Sequence, residues 1–464
     1  MFRPVRSVAS ATPSYDPGSR RPGSRRPGSR TWRLRSVATV GALALTAALA
    51  ACSSSASGST AKSPLVIADV APFSGVDAAL GPIYLVACDG TANAINSAGG
   101  ILGHKVSCTS VDTRGEPADA VPAVGNLFAT NKNVALVIGC TSDEAASVVP
   151  IINQHKTVMF CMTGQSEFDH VKYPYFYRLV PPDLAESYAM TVIAQRLGYK
   201  RIALAFGNDI GSQTFVQPAL AALKKVGIKV VANETLDLTA NTFRTEAAAI
   251  VAAHPQAIMT EALGSADPTL FSEIKQLNGG KMIPIIGTSA SISPAFYSAA
   301  AKAIGAKTFS ASFHADNLVT ATSGPAYNAF TKALLAVKGK VSGAQTGNFS
   351  TYFTAPGAVH LYDGMVLAAL SMVAAGSVQT AKWKPWITKI GDGVPGAVVV
   401  HSFAQGVAAL KAGKQIRYIG PGGPTSFDAY HDSPGIFQID TYSPTGQVVV
   451  SGNISPAQLR AVQP

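Results

Sequence analysis

The chain lacks the residue patterns that most enzymatic chemistries need. It has no Gly-x-Ser-x-Gly elbow and no Walker phosphate loop, so neither a hydrolase nucleophile turn nor a nucleotide-phosphate cradle is available. Its eight histidines include no pair at metal-ligand helical spacing, and none of its five cysteines has the close spacing of a zinc site. Gly391-Asp392-Gly393-Val394-Pro395-Gly396 does spell the dinucleotide pattern. It follows a tryptophan-containing segment and leads into the strand-like run 397–400, whereas the fingerprint needs a strand before it and a helix after it. It reads as a turn. No catalytic residue, metal site or cofactor is expected, and the chain is not expected to be an enzyme.

Charge is also scarce, at 14% of residues, and the formal net charge of +11 is misleading. Nine of the 37 basic residues precede Cys52, opposed only by Asp16. The remainder carries 28 basic and 25 acidic residues, a net of +3, too weak a field to imply a nucleic-acid partner. Residues 17–30 repeat Pro-Gly-Ser-Arg three times, a low-complexity composition that cannot bury a core. This is either a long basic region of an export signal or sequence upstream of the true start. One uncharged apolar run stands out, residues 37–51, after Arg33 and Arg35. At about fifteen residues it falls short of the roughly 20 that span a bilayer as a helix, and it has the build of an export signal. It ends Leu49-Ala50-Ala51-Cys52, which resembles the lipobox of bacterial lipoproteins and implies lipid attachment at Cys52. A Ser/Gly/Ala stretch follows, the composition of a flexible tether. The expected location is the outer face of the cytoplasmic membrane, with a soluble mature body.

Four cysteines remain: Cys88, Cys108, Cys140 and Cys161. An even count in an exported protein implies two disulfides, and four cysteines allow three pairings. Cys140 and Cys161 close two predicted neighbouring strands, where a bridge fits the roughly 5–6 Å Cα spacing of a disulfide. That would leave Cys88 with Cys108, although sequence alone does not choose.

The body alternates strand and helix. Strands are predicted over 64–70, 105–111, 134–139 and 157–161, with helices over 83–97, 118–130 and 143–154 between them. After a break at Pro181-Pro182 the alternation restarts. Strands over 201–206, 229–232, 256–260 and 282–286 alternate with helices over 212–226, 242–253 and 267–277. Residues 324–338 and 354–375 are helix-rich, 391–423 is rich in Gly and Pro, and 436–450 reads as a hairpin around Pro444-Thr445-Gly446. Alternating βα units predict parallel sheets with helices on both faces. The expected fold class is therefore α/β, with two doubly wound parallel-sheet lobes. The expected divisions are an N-terminal extension and signal (1–51), a tether (52–63), the first part of lobe 1 (64–182), lobe 2 (183–311), the second part of lobe 1 with a Gly/Pro-rich insert (312–425), and C-terminal strands returning to lobe 2 or the hinge (426–464).

Several segments resemble the leucine/isoleucine/valine-binding family of periplasmic binding proteins, solute receptors of ABC importers. They are Ile67-Ala68-Asp69-Val70-Ala71-Pro72-Phe73-Ser74-Gly75, the turn Asn96 to Lys105 with Gly99, Gly100 and Gly103, then Val137-Ile138-Gly139, Phe176-Tyr177-Arg178, Tyr362-Asp363-Gly364 and Ser426-Phe427-Asp428-Ala429. The resemblance covers about residues 64–450. It implies a type I periplasmic-binding-protein fold with a multi-strand hinge, a monomer that captures a small-molecule ligand by hinge closure, and delivery to an ABC permease. A lipoprotein of the same fold that senses a ligand and signals to a membrane partner is the alternative.

Ligands of open α/β sheets bind outside the carboxyl ends of strands. The loops there give the candidate ligand contacts Phe73, Ser74, Thr141, Ser142, Thr163, Gly164, Gln165, Asn208, Ile210, Gly264, Ser289 and Tyr352. Hydroxyls and free N–H groups at helix starts suit a carboxylate. In amino-acid-binding members, the loops matching Thr141-Ser142 and Thr163–Gln165 hold the ligand carboxylate, and an acidic residue holds its ammonium. Here Ser289 stands at that acidic position, and Leu80 and Ile210 at two aromatic positions. A buried ammonium needs a carboxylate, which Glu261, Asp267 or Asp209 would have to supply. The expected ligand is a small polar organic molecule: an amino acid, an organic acid or an amide.

Overall fold

The structure, a computed structural model, describes residues 62–464 apart from Val76. Cys52, the export segment and most of the tether lie outside the described residues.

The first lobe is built on a five-stranded parallel sheet of β1 (Lys62–Ala71), β2 (His104–Asp112), β3 (Val134–Gly139), β4 (Met159–Cys161) and β5 (Phe176–Arg178), in the order β2-β1-β3-β4-β5. Strand β3 is buried along nearly its whole length, as expected of a parallel strand covered on both faces. Helices α1 (Gly81–Ser97), α2 (Pro117–Thr130) and α3 (Ser142–Gln154) connect these strands. The predicted stop of α1 is where the sequence placed it. Gly99 and Gly100 have φ of +102° and +77°, and a Cβ on Gly100 would run into the carbonyl of His104. Only glycine takes that turn at little cost.

The second lobe opens with α4 (Asp183–Arg196) and carries the parallel strands β6 (Arg201–Gly207), β7 (Lys229–Leu236), β8 (Ala257–Glu261), β9 (Ile285–Gly287) and β10 (Phe313–Leu318). Its other helices are α5 (Ile210–Gln213), α6 (Val216–Lys225), α7 (Arg244–Ala252), α8 (Ala266–Leu277), α9 (Pro294–Ile304) and α10 (Ala306–Ser312). The single helix predicted over 212–226 is thus split in two. Pro218, in the first turn of α6, has no N–H to bond back across Thr214, and its ring crowds that carbonyl.

Strand β10 corrects the expected boundary at residue 312. It pairs in parallel with β9 in the second sheet, so the chain leaves this lobe only after Leu318. Helices α11 (Gly324–Leu335) and α12 (Pro356–Ala375) then pack into the first lobe's core beside α1, through Phe330, Leu334, Val359 and Leu367. Helix α12 is long and apolar enough to cross a membrane, but 78% of that stretch is buried inside the protein. The Gly/Pro-rich stretch forms a small sheet of β11 (Val398–Val400), β12 (Ile416–Gly420) and β13 (Gly423–Pro424). It is tied to α12 by the Tyr418 hydroxyl donating to Asp363 at 2.7 Å. Finally β14 (Phe437–Tyr442) and β15 (Val448–Ile454) form the predicted hairpin and extend the second sheet to the order β15-β14-β10-β9-β8-β6-β7.

The chain passes between lobes three times: after β5, after β10 and before β14. Arg178 fastens two of these crossings. Fully buried, its guanidinium reaches Asp169 at 2.7 Å, Asp432 at 3.0 Å and the carbonyl of Gln165 at 3.1 Å.

Each predicted disulfide pair is bonded in the structure. The Cα separations are 6.1 Å for Cys88–Cys108 and 5.5 Å for Cys140–Cys161. The second joins the ends of β3 and β4, directly beneath the loops that face the other lobe.

Candidate functional site

In the first sheet β1 lies between β2 and β3, and in the second β6 lies between β7 and β8. At such a switch point the flanking connections leave on opposite faces and open a crevice at the strand tips. The two crevices face each other. Gly139 lets the first one form: its φ is +88°, and a Cβ there would strike the carbonyl of Val70 at the tip of β1.

Between the tips lies a cavity of about 130 Å³. The first lobe contributes Leu80, Ile83, Tyr84, Thr141, Ser142, Asp143, Met162, Pro356 and Gly357. The second contributes Asp183, Glu186, Asp209, Gly211, Phe215, Glu261, Leu263, Ser289, Ala290 and Ile292. A wider groove of about 840 Å³ between α8 and α9 shares Leu80, Leu263 and Ala290 with it. A hydrogen bond joins the lobes across the cavity: the Gly211 N–H donates to Asp143 Oδ1 at 2.9 Å.

The lining is acidic. Asp143, Asp183, Glu186, Asp209 and Glu261 all belong to it, and no lysine, arginine or histidine does among the described residues. Burial pushes Asp183 up to about 8, against the lowering effect of the Thr214 hydroxyl that donates to it at 2.5 Å. Burial also raises Glu186, which accepts from the Ser289 hydroxyl at 3.0 Å, and holds Glu261 well above the usual carboxylate range although the Thr288 hydroxyl donates to it. Asp143 rises to about 6, through burial and then repulsion from Asp209. Asp77, buried and in contact with Asp143, rises to about 8. Two carboxyl groups in contact cannot both ionise, so this pair holds a proton.

The predicted contacts divide into four groups. Thr141, Ser142 and Ser289 line the cavity, and Leu80 does as well. Gly264 lies in the adjoining groove. Thr163, Gly164 and Gln165 stand behind the wall: the Thr163 hydroxyl is 3.2 Å from that of Ser142, the Gly164 carbonyl accepts from the Asp183 N–H at 2.7 Å, and Gln165 meets Arg178. The remaining five are elsewhere. The loop after β1 curls back, so the Phe73 and Ser74 N–H groups and the Ser74 hydroxyl all donate to Asp112 at the end of β2. Asn208 accepts from the Leu238 N–H at 3.1 Å. Ile210 is 51% exposed, its neighbours Asp209 and Gly211 facing the cavity instead. Tyr352 is a core side chain whose hydroxyl accepts from Gln345 N–H.

Of the possible ammonium partners, Glu261 and Asp209 line the cavity. Asp267 is buried behind it, accepting from the Thr260 hydroxyl and the Ala262 N–H. Sequence reasoning missed Asp183 and Glu186. They follow Pro181-Pro182 at a spacing of three, which places both on one face of the helix that starts at the crossing, and that was the available signal.

Residues 64–382 match the family model described as periplasmic binding protein. A curated amino acid binding protein of Pseudomonas aeruginosa is 27% identical over 191 residues, covering 37% of this chain. The match spans just under half, 46%, of that relative's own length. Among solved structures, a leucine-binding protein (LivK) of Thermotoga maritima aligns with TM-score 0.66 at 18% identity, over 85% of this chain and 99% of its own. The branched-chain amino acid substrate-binding protein LivJ of Streptococcus pneumoniae, solved with isoleucine, aligns with TM-score 0.65 at 18% identity, over 84% of this chain and 99% of its own. At that identity the likeness is one of fold.

Proposed function

This chain belongs to the periplasmic binding protein family, and on that premise we propose that it is an extracytoplasmic solute receptor. In this reading it is held to the membrane by lipid on Cys52 and delivers a small organic ligand to an ABC importer. The observation that carries the reading is the cavity formed by strand tips of both lobes, with five carboxyl groups and, among the described residues, no basic side chain in its lining. Such a lining favours a ligand with an ammonium or similar cationic group, an amine or an amino acid, over an organic acid. A cation that touches both lobes relieves repulsion between their carboxylates only in the closed form. Its binding therefore shifts the population towards closure.

The test is a thermal-shift screen of amines, amino acids, amides and organic acids, followed by solution scattering of every hit. The expected result is a hit carrying positive charge that raises the melting temperature and reduces the radius of gyration. A ligand that binds in the cavity while leaving the scattering curve unchanged refutes hinge closure.

A further inference from the structure

We propose that the ligand is an organic dication without a carboxylate, of the α,ω-diamine class: two ammonium groups joined by a methylene chain. This rests on the receptor reading above and specifies its substrate class. An amino acid presents a carboxylate to one wall, and that wall must answer with free donors or a basic side chain. The first-lobe wall answers with acid. At the start of α3, where a carboxylate would dock, the Thr141 N–H and hydroxyl both donate to Glu144, at 3.1 and 2.5 Å, and Thr113 donates to the same carboxylate at 3.0 Å. Asp143 stands beside them in the cavity wall, with the buried Asp77 in contact behind it.

The second lobe is no more receptive to an anion. The hydroxyls of Thr214, Thr288 and Ser289 each donate to a cavity carboxylate, namely Asp183, Glu261 and Glu186. Asp209 lines the cavity with one carboxylate oxygen buried and lacking any partner, although its other oxygen accepts from Ser212 N–H. Both walls therefore offer carboxyl oxygens, so a molecule that spans them meets acceptors for an ammonium at each end. The rest of the lining includes Leu80, Ile83, Met162, Phe215, Leu263 and Ile292, which suits a methylene spacer. A single ammonium would engage the acids of one wall only and forfeit the charge-assisted hydrogen bonds that the other wall can make.

The test is calorimetry on the purified chain at pH 8 with 1,3-diaminopropane, 1,4-diaminobutane, 1,5-diaminopentane, 1,6-diaminohexane, butylamine, leucine, lysine, acetamide and benzoate. One diamine is expected to bind with 1:1 stoichiometry at least about tenfold more tightly than butylamine or lysine. Removing one charge partner, in Asp143→Asn on one wall or Glu261→Gln on the other, is expected to weaken it about tenfold or more. Tightest binding by leucine, lysine, acetamide or benzoate overturns the dication and leaves the receptor reading standing. Failure of all nine compounds to bind overturns the dication and counts against the receptor reading with it. If Asp143→Asn fails to fold, the wild-type rank order still decides between these outcomes.

Discussion

The sharpest consequence of the acidic cavity is that replacing Asp183 with asparagine stabilises the unliganded protein while impairing capture. Burial raises the Asp183 carboxyl from an unfolded value near 3.8 to about 8. A group raised in the folded state contributes stability below its unfolded pKa and loses that contribution as pH climbs through the folded one. Between about pH 4 and 8 the folded protein holds a proton that the unfolded chain has released, so stability falls with rising pH. At pH 7 the linkage relation puts the penalty at about 4 kcal/mol, from roughly 1.4 kcal/mol per pH unit over about three units. Asparagine has nearly the same shape, stays neutral, and keeps an oxygen to accept the Thr214 hydroxyl. Asp183→Asn should therefore match wild type near pH 4 and melt roughly 5 °C higher at pH 7. Scanning calorimetry of both proteins across pH 4–8, without ligand, measures the gap. A gap that stays constant or narrows as pH rises would falsify the assignment of Asp183 as a buried, proton-holding acid.

Cation capture should show the opposite pH trend from apo stability. Binding a cation ionises the raised carboxyls, Asp143 from about 6 and Asp183 from about 8. The association constant should thus rise between pH 6 and 8 by up to about tenfold per unit for each proton released. Calorimetry in two buffers of different ionisation enthalpy counts the protons, and a pH-independent constant refutes the linkage. Arg178→Met leaves Asp169 and Asp432 buried or half-buried without their cation. It should destabilise the fold by about 3–5 kcal/mol in urea titration, and a loss below about 1 kcal/mol would show that the buried ion pairs contribute little. The two disulfides should separate cleanly. Each Cys-to-Ala pair is expected to cost about 2–4 kcal/mol, but only the Cys140→Ala, Cys161→Ala double variant, beneath the Thr141 and Met162 loops, should also weaken ligand binding. Equal loss of affinity in the Cys88→Ala, Cys108→Ala protein would rule that out.

Strand and helix order was legible because buried parallel strands leave short, continuous apolar runs and glycine marks the turns between them. Strand β3 and the Gly99-Gly100 stop are the plainest cases. The switch-point rule then puts ligand loops after the strands, and Thr141, Ser142 and Ser289 do line the cavity. It failed after β1 because proximity along the chain is not orientation. Asp112, at the end of the neighbouring strand, offers a carboxylate to two N–H groups and a hydroxyl. That local satisfaction turns Phe73 and Ser74 away and leaves Leu80, several residues on, to face the cleft. Strand β10 shifts the expected division at residue 312 for a related reason. Nothing in the composition of Phe313–Leu318 says which of two parallel sheets it will join; pairing with β9 and β14 decides it.

The ligand chemistry was hidden for a deeper reason. Acidic residues in the first turn of a helix are ordinary, since they complement the positive end of its dipole, and Asp143, Glu144, Asp183 and Glu186 all read that way along the chain. Only folding reveals that they converge. Glu144 meets the ordinary need, satisfying Thr141 and Thr113 at the start of α3. Asp143, one residue earlier, is left over, and it points at the opposite lobe to hold Gly211. The same division recurs at α4, where Asp183 takes the Thr214 hydroxyl and Glu186, one turn on, reaches Ser289. At two helix starts in two lobes, then, a first-turn carboxylate is turned into the cleft to meet a group beyond its own helix. Each of these acids takes a hydrogen-bond donor from the protein and, among the described residues, lacks a basic partner in the cavity lining. In the receptor reading proposed above, a cation held by acids of both lobes would keep them together, so that parting the lobes and releasing the ligand would be one event.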